Sequence, residues 1–216
     1  MIKIILILLV TWSIYSLFPT IYYKYCRRPS REGGRLKFTF DDGPHPEFTE
    51  KVRCILDEEK EKAIFFVVGE KAKRYPEILQ NLKESEHIIG LHCYHHSHPI
   101  TWGPIKTYRD MSRAKDTLEK LGINPKYYRP PHGWVNLSML YWVAKWNMKL
   151  VLWRFLPGDW NEGMSSDVLF EKIKAASKEG GIICLHDANH ALGSLSLAPE
   201  HTIEAVSYTH LTLPTT

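Results

Sequence analysis

Short apolar runs alternate along this chain with amphipathic stretches, the arrangement of a parallel sheet whose strands are joined by covering helices. The runs at 36–40, 63–68, 87–91, 126–129, 149–153 and 182–185 are predicted strands. Between them, Phe48, Val52 and Ile55, then Tyr75, Ile78, Leu79 and Leu82, then Ile105, Tyr108, Met111, Leu118 and Leu121 recur at three- or four-residue spacing. That is the stripe a helix buries. Asn136 and Ser166 stand where two later helices need N-caps, and Gly122 and Gly180-Gly181 stand where helices stop. No sequence repeat accompanies this alternation. It predicts one α/β domain, with chemistry gathered at the carboxyl ends of the strands.

The two ends of the chain break the pattern. Residues 4–23 are apolar, about 20 residues, and as a helix they would cross the ~30 Å hydrocarbon core. No small-x-small cleavage site follows, so 1–24 is expected to be an uncleaved transmembrane signal-anchor, with Tyr15, Tyr22 and Tyr23 suited to the interface and 25–34 a basic linker. Lys24, Arg27, Arg28 and Arg31 outnumber Lys3, which by charge alone would place the domain in the cytoplasm. At the other end, 206–216 lacks a helical period and reads as the translation of a transposon-type sequencing-library adaptor. The expectation is a catalytic domain at 35–205, truncated before a closing strand, and a tail that makes no regular packed element.

Composition narrows the class further. The 216 residues leave room for one domain beyond the apolar segment, and the net charge of +4 suits an anionic wall or membrane surface. Nothing groups basic and aromatic residues into a nucleic-acid reader, and no protein partner is implied. Cys26, Cys54, Cys93 and Cys184 are scattered without a Cys-x-x-Cys pair, so they read as free thiols.

The chemistry starts where the first strand breaks into a turn, at Thr39-Phe40-Asp41-Asp42-Gly43-Pro44. Adjacent carboxylates on an extended backbone project in different directions, so Asp41 and Asp42 suit a division of labour between proton transfer and metal ligation. Gly90-Leu91-His92-Cys93-Tyr94-His95-His96 follows a later strand, as do Arg129-Pro130-Pro131-His132-Gly133, Asp159-Trp160 and Leu185-His186-Asp187. Together, in this order, the five segments resemble the polysaccharide deacetylases, the NodB-homology family of carbohydrate esterases, over about 36–205.

The resemblance implies a distorted, incomplete (β/α) barrel and a metal-dependent hydrolysis of N-acetyl groups on a cell-surface glycan, peptidoglycan first, with chitin oligomers and acetylated xylan as alternatives. It implies Asp42, His92 and His96 as metal ligands, with zinc favoured and cobalt, nickel or iron compatible. His95 and His98 could also coordinate. Asp41 is then the general base, held by Arg129. His186 is the acid for the leaving amine, charged and oriented by Asp159. The backbone N–H of His132 would face the oxyanion, and Trp160, Leu185, Pro130 and Pro131 would wall the substrate pocket. Two residues depart from the family pattern: Cys93 replaces Ser or Thr, and His132 replaces Tyr. Asp187 is expected to open a turn, and Trp153 to be a strand residue. A wall-glycan substrate implies that the catalytic domain lies outside the cell, against the flanking charge.

Overall fold

Six parallel strands lie side by side in a computed structural model that describes residues 1–27, 35–161, 163–188 and 198–212. They are β1 (Leu36–Asp41), β2 (Ile64–Val68), β3 (Ile88–Cys93), β4 (Tyr127–Tyr128), β5 (Lys149–Leu150) and β6 (Gly181–His186), in the order β5-β4-β3-β2-β1-β6. The central strands are buried on both faces, which is why their sequences are continuous apolar runs rather than alternating ones. The sheet curls into an incomplete barrel. After β5 the chain leaves the ladder and reaches β6: Arg154 N and Phe155 N donate to Ile182 O at 2.8 and 3.1 Å, and Cys184 N donates to Phe155 O at 3.0 Å. The predicted strand at 149–153 is therefore only two residues long, and Trp153 lies outside it.

The strand ends matter for the site. β3 runs to Cys93 rather than stopping at Leu91, and β6 includes His186. A register shift pairs Val67 with Leu91 but Val68 with Cys93, leaving His92 as the extra residue of a bulge. Bulges re-aim one side chain at the rim of a sheet, and here the re-aimed residue is His92.

Helices cover the sheet at Phe48–Glu58, Gly69–Arg74, Pro76–Glu84, Pro104–Lys120, Leu137–Lys145 and Ser166–Glu179. Tyr75 falls between two of them, because Pro76 cannot continue the hydrogen bonding of the helix before it and starts the next one. The predicted stripes face inward except at Ile105 and Tyr108, which are exposed. Val52, Leu79, Leu82, Met111 and Leu118 are fully buried, each worth about 2 kcal/mol in apolar area removed from water. Asn136 caps its helix by accepting from Met139 N at 2.9 Å. Ser165 rather than Ser166 caps the Ser166–Glu179 helix, accepting from Val168 N. Gly122 and Gly180 end their helices at φ of 72° and 69°.

The N-terminal end is helical as expected, and the C-terminal end departs from expectation. The apolar N-terminal segment forms one helix over Ile2–Cys26 that is long and apolar enough to cross a membrane. It takes in the first residues of the expected basic linker, whose positions 28–34 lie outside the described residues. The last helix, Ala198–Thr212, continues past Ala205 and buries both Ala205 and Val206 in the core. The expectation of an unstructured 206–216 therefore fails as far as Thr212; positions 213–216 lie outside the described residues. The inward face was hidden because it is completed by a threonine: Thr202, Ala205 and Val206 point in together.

Candidate active site

β1 ends at Asp41, Asp42 follows directly, and the backbone turns sharply between them and Pro44. Asp42 has φ 76°, a left-handed conformation uncommon for a residue with a side chain, and it sends the second carboxylate away from the first. The turn is clamped from β6. Asp187 Oδ1 accepts from Gly43 N at 3.1 Å and Oδ2 accepts from Thr49 Oγ1 at 2.5 Å. A Cβ at position 43 would meet Asp187 Oδ2 at 2.4 Å, so only glycine fits against this carboxylate. Asp187 was expected merely to open a turn; instead it holds the one carrying Asp41 and Asp42. Burial pushes its carboxyl up to about 7, although Thr49 and Lys71 act in the other direction.

Asp42, His92 and His96 converge. Asp42 Oδ1 lies 3.4 Å from His92 Nε2 and 3.0 Å from His96 Nε2, and one ligand atom from each of the three falls within 4.8 Å of the others. His92 Nδ1 is 2.7 Å from the carbonyl of Arg129, so the proton sits on Nδ1 and the Nε2 lone pair faces the cluster. Two imidazoles and one carboxylate, with the tautomer set from behind, suit a divalent cation with an open coordination position. His95 is elsewhere, exposed and 3.0 Å from Glu70. His98 stacks on His132 at 4.6 Å between ring centroids, and His132 in turn meets His96 at 4.9 Å. The ring at position 132 thus buttresses one member of the cluster.

Asp41 lies beside this group. Its Oδ1 receives Arg129 Nη1 at 2.6 Å, and its Oδ2 receives the Cys184 thiol at 3.3 Å. Arg129 is fully buried. Its remaining donors reach Thr39 Oγ1 at 2.8 Å, Val151 O at 3.1 Å and Leu152 O at 3.5 Å. Those two carbonyls belong to the stretch where the chain has left the ladder, so the guanidinium fills the gap in the barrel wall as well as holding the carboxylate.

On the other side, Asp159 holds His186 twice, accepting from His186 N at 2.7 Å and lying 2.9 Å from His186 Nδ1. Burial opposes charge on this imidazole, but Asp159, Asp42 and Asp41 outweigh it and raise its pKa to about 10. The surrounding carboxylates therefore favour the protonated ring. Thr202 donates to Asp159 Oδ2 at 2.9 Å from the last helix. No sequence signal marked Thr202, since a threonine within a helix is ordinarily neutral. Trp160 stands edge-on to His186 at 5.3 Å and is 40% exposed, while Leu185, Pro130 and Pro131 are buried around the same mouth. His132 occupies the tip of a 3₁₀ turn at Pro131–Gly133 with φ 55°.

Five sequence segments, far apart along the chain, thus meet at the carboxyl ends of β1, β3, β4 and β6, and residues 29–151 match the model of the polysaccharide deacetylase family. This chain belongs to that family. The polysaccharide deacetylases similar to it include a peptidoglycan-N-acetylglucosamine deacetylase of Bacillus cereus, 31% identical over 80% of this chain and 64% of the relative. The chain thus spans just under two thirds of that relative's length. A chitooligosaccharide deacetylase of Azorhizobium caulinodans is 32% identical over 74% of this chain and 77% of its own. Among solved structures, a peptidoglycan N-acetylglucosamine deacetylase in complex with a naphthalenyl N-oxidanyl-benzamide superposes with a TM-score of 0.75. It is 27% identical, and the match covers 84% of this chain and 82% of that one. The half-barrel and its strand order agree with this membership.

Proposed function

We propose that this protein is a metal-dependent deacetylase that hydrolyses the N-acetyl group of N-acetylglucosamine units in a cell-surface polysaccharide, peptidoglycan first. The observation that supports the reading is the convergence on one mouth of Asp42, His92 and His96, with the buried Asp41 beside them and His186, held by Asp159, opposite.

Asp42, His92 and His96 would hold the ion, zinc first, with cobalt, nickel and iron compatible with the same donors. Bound there, a divalent ion supplies Lewis acidity toward the acetyl carbonyl. Asp41 takes the proton of the attacking water, and Arg129 keeps its carboxylate aimed by the 2.6 Å contact. As the carbonyl oxygen gains charge, the backbone N–H of His132 faces it. Collapse breaks the carbon–nitrogen bond, and His186 passes its proton to the nitrogen, because an amine anion does not leave in water. Acetate and a free amine result. Asp159 keeps His186 charged and oriented. Trp160 and Leu185 line the space for the acetyl methyl, with Pro130 and Pro131 shaping the groove.

A membrane-attached enzyme facing the cell wall fits the apolar helix and the wall-glycan relatives, with 1–24 as the anchor and a catalytic unit that starts at 35 and includes the last helix. The second reading that an observation favours is chitooligosaccharide deacetylation, given the Azorhizobium relative. Turnover of a chromogenic acetyl ester with added metal tests the enzyme reading, and acetate release from peptidoglycan, chitin oligomers and acetylated xylan tests the substrate. Failure on every ester and amide, with metal bound, would leave a silent glycan-binding member.

A further inference from the structure

The N-terminal helix is not a free tether. Its second half lies on the catalytic domain along one stripe, at Trp12, Tyr15, Ser16, Pro19, Thr20 and Lys24. Thr20 Oγ1 both donates to Val135 O and accepts from Val135 N, each at 2.9 Å. Ser16 Oγ accepts from Trp134 Nε1 at 2.5 Å, Trp12 Nε1 donates to Ile100 O at 3.1 Å, and Lys24 Nζ donates to His132 O at 3.2 Å. The helix therefore runs along the rim of the candidate active site, from the loop after β3 to the turn that carries His132.

The opposite face of this docked half is also apolar: Ile14, Phe18, Ile21, Tyr22 and Tyr25 are all exposed. A helix packed on a domain in water presents polar residues outward, so this face requires an apolar cover. The undocked part, Ile2 to Thr11, measures only about 15 Å, half of the ~30 Å hydrocarbon core. It cannot span a bilayer alone. If the docked half shares the bilayer, the domain surface beside it comes too. That surface is suited to it. Tyr15 comes up to Thr107 and Ser138, and next to them a cavity of about 350 Å³ is walled by Pro104, Ile105, Tyr108, Ser138, Tyr141 and Trp142. Ile105 is 68% and Tyr141 58% exposed. Tyr108, Trp142 and Trp146 cluster there with centroids 4.5 to 6.5 Å apart, and Lys106, Arg109 and Lys145 stand exposed on the same two helices. Amphipathic aromatics with cations around them are the composition of a bilayer interface.

We propose that the N-terminal helix and the aromatic face of the Pro104–Lys120 and Leu137–Lys145 helices form one lipid-embedded surface, which seats the catalytic domain on the bilayer with its mouth at headgroup level. The full chain is tested in anionic phospholipid vesicles containing brominated lipid. Cys26→Ser and Cys54→Ser remove the exposed thiols, Cys93 and Cys184 being buried. A fluorophore is then placed at Ile105→Cys or Tyr141→Cys, with Ile5→Cys as the embedded reference and Lys178→Cys as the solvent reference. Quenching at 105 and 141 comparable with that at 5, and none at 178, is the expected result. Quenching at 5 alone overturns the proposal, and so does protection of 141 by a soluble glycan or a second copy without quenching. Ser16→Leu with Thr20→Leu keeps the helix apolar while removing the central docking bonds, those to Trp134 and Val135. Quenching should then persist at 5 and be lost at 141; if it persists at both, helix docking does not seat the domain. None of these readouts depends on deacetylation.

Discussion

His92 Nδ1 and the carbonyl of Arg129 lie 2.7 Å apart, while the side chain of the same arginine grips Asp41 at 2.6 Å. One residue on β4's outgoing end therefore sets both the tautomer of a metal-ligand candidate and the orientation of the carboxylate beside it. Because Arg129 is buried with its donors on Asp41, Thr39 and two carbonyls, Arg129→Met should strand a buried carboxylate and destabilise by about 3–5 kcal/mol. Chemical denaturation of the metal-free protein measures this, and a change within 1 kcal/mol would mean that Asp41 finds another partner.

Metal content should follow the triad. Asp42→Ala, His92→Ala and His96→Ala are each expected to lose bound metal and turnover together, whereas His95→Ala, whose imidazole faces Glu70, should keep both. Metal analysis after dialysis decides. Retention in His92→Ala with loss in His95→Ala would show that the wrong pair of histidines has been assigned.

Base and acid separate by substrate. Asp41→Asn should retain metal and lose most turnover on amide and ester alike. His186→Ala should hurt an N-acetyl amide far more than an activated acetyl ester, since a good leaving group needs no proton. Equal losses on the two substrates would remove His186 from the role of acid.

Thr202 should act on the reaction through Asp159. Thr202→Val keeps the shape of the buried side chain and removes one hydrogen bond to the carboxylate, an effect of about 1.4 kcal/mol or tenfold in amide turnover. Ester turnover and metal content should stay unchanged. A loss of metal or of folded protein would instead make Thr202 a packing residue.

Stability of the metal-free protein should fall as pH rises, in two windows. Asp187, raised to about 7, binds more protons folded than unfolded between about pH 4 and 7, so its contribution is lost on going up through that range. His186, raised to about 10, contributes fully below about 6.5 and loses its contribution as pH climbs through 10. Melting temperature against pH should show both declines. Asp187→Asn should flatten the lower one and His186→Gln the upper one; an unchanged profile in either variant refutes that assignment.

The strands were legible because a sheet buried on both faces writes each strand as an unbroken apolar run, and the candidate site was legible because its residues sit in contiguous segments at the ends of those runs. What escaped reading depended on contacts between distant segments. The clamp of Asp187 on Gly43 and of Thr202 on Asp159 joins residues 144 and 43 positions apart, and neither has a periodic signature. The short β5 escaped because Arg129, a side chain, supplies hydrogen bonds that a strand would have made. The continuation of the last helix past Ala205 escaped because its inward face is closed by Thr202 rather than by a third aliphatic residue.

Thr20 and Val135, which exchange two hydrogen bonds, are 115 positions apart. During synthesis the helix that carries Thr20 emerges first, and the loop that receives it follows only after more than half of the chain has been made. The apolar segment is thus made before its partner on the domain exists. Docking therefore waits until the chain beyond Val135 has been made, and the contact of Lys24 with the turn bearing His132 forms with it.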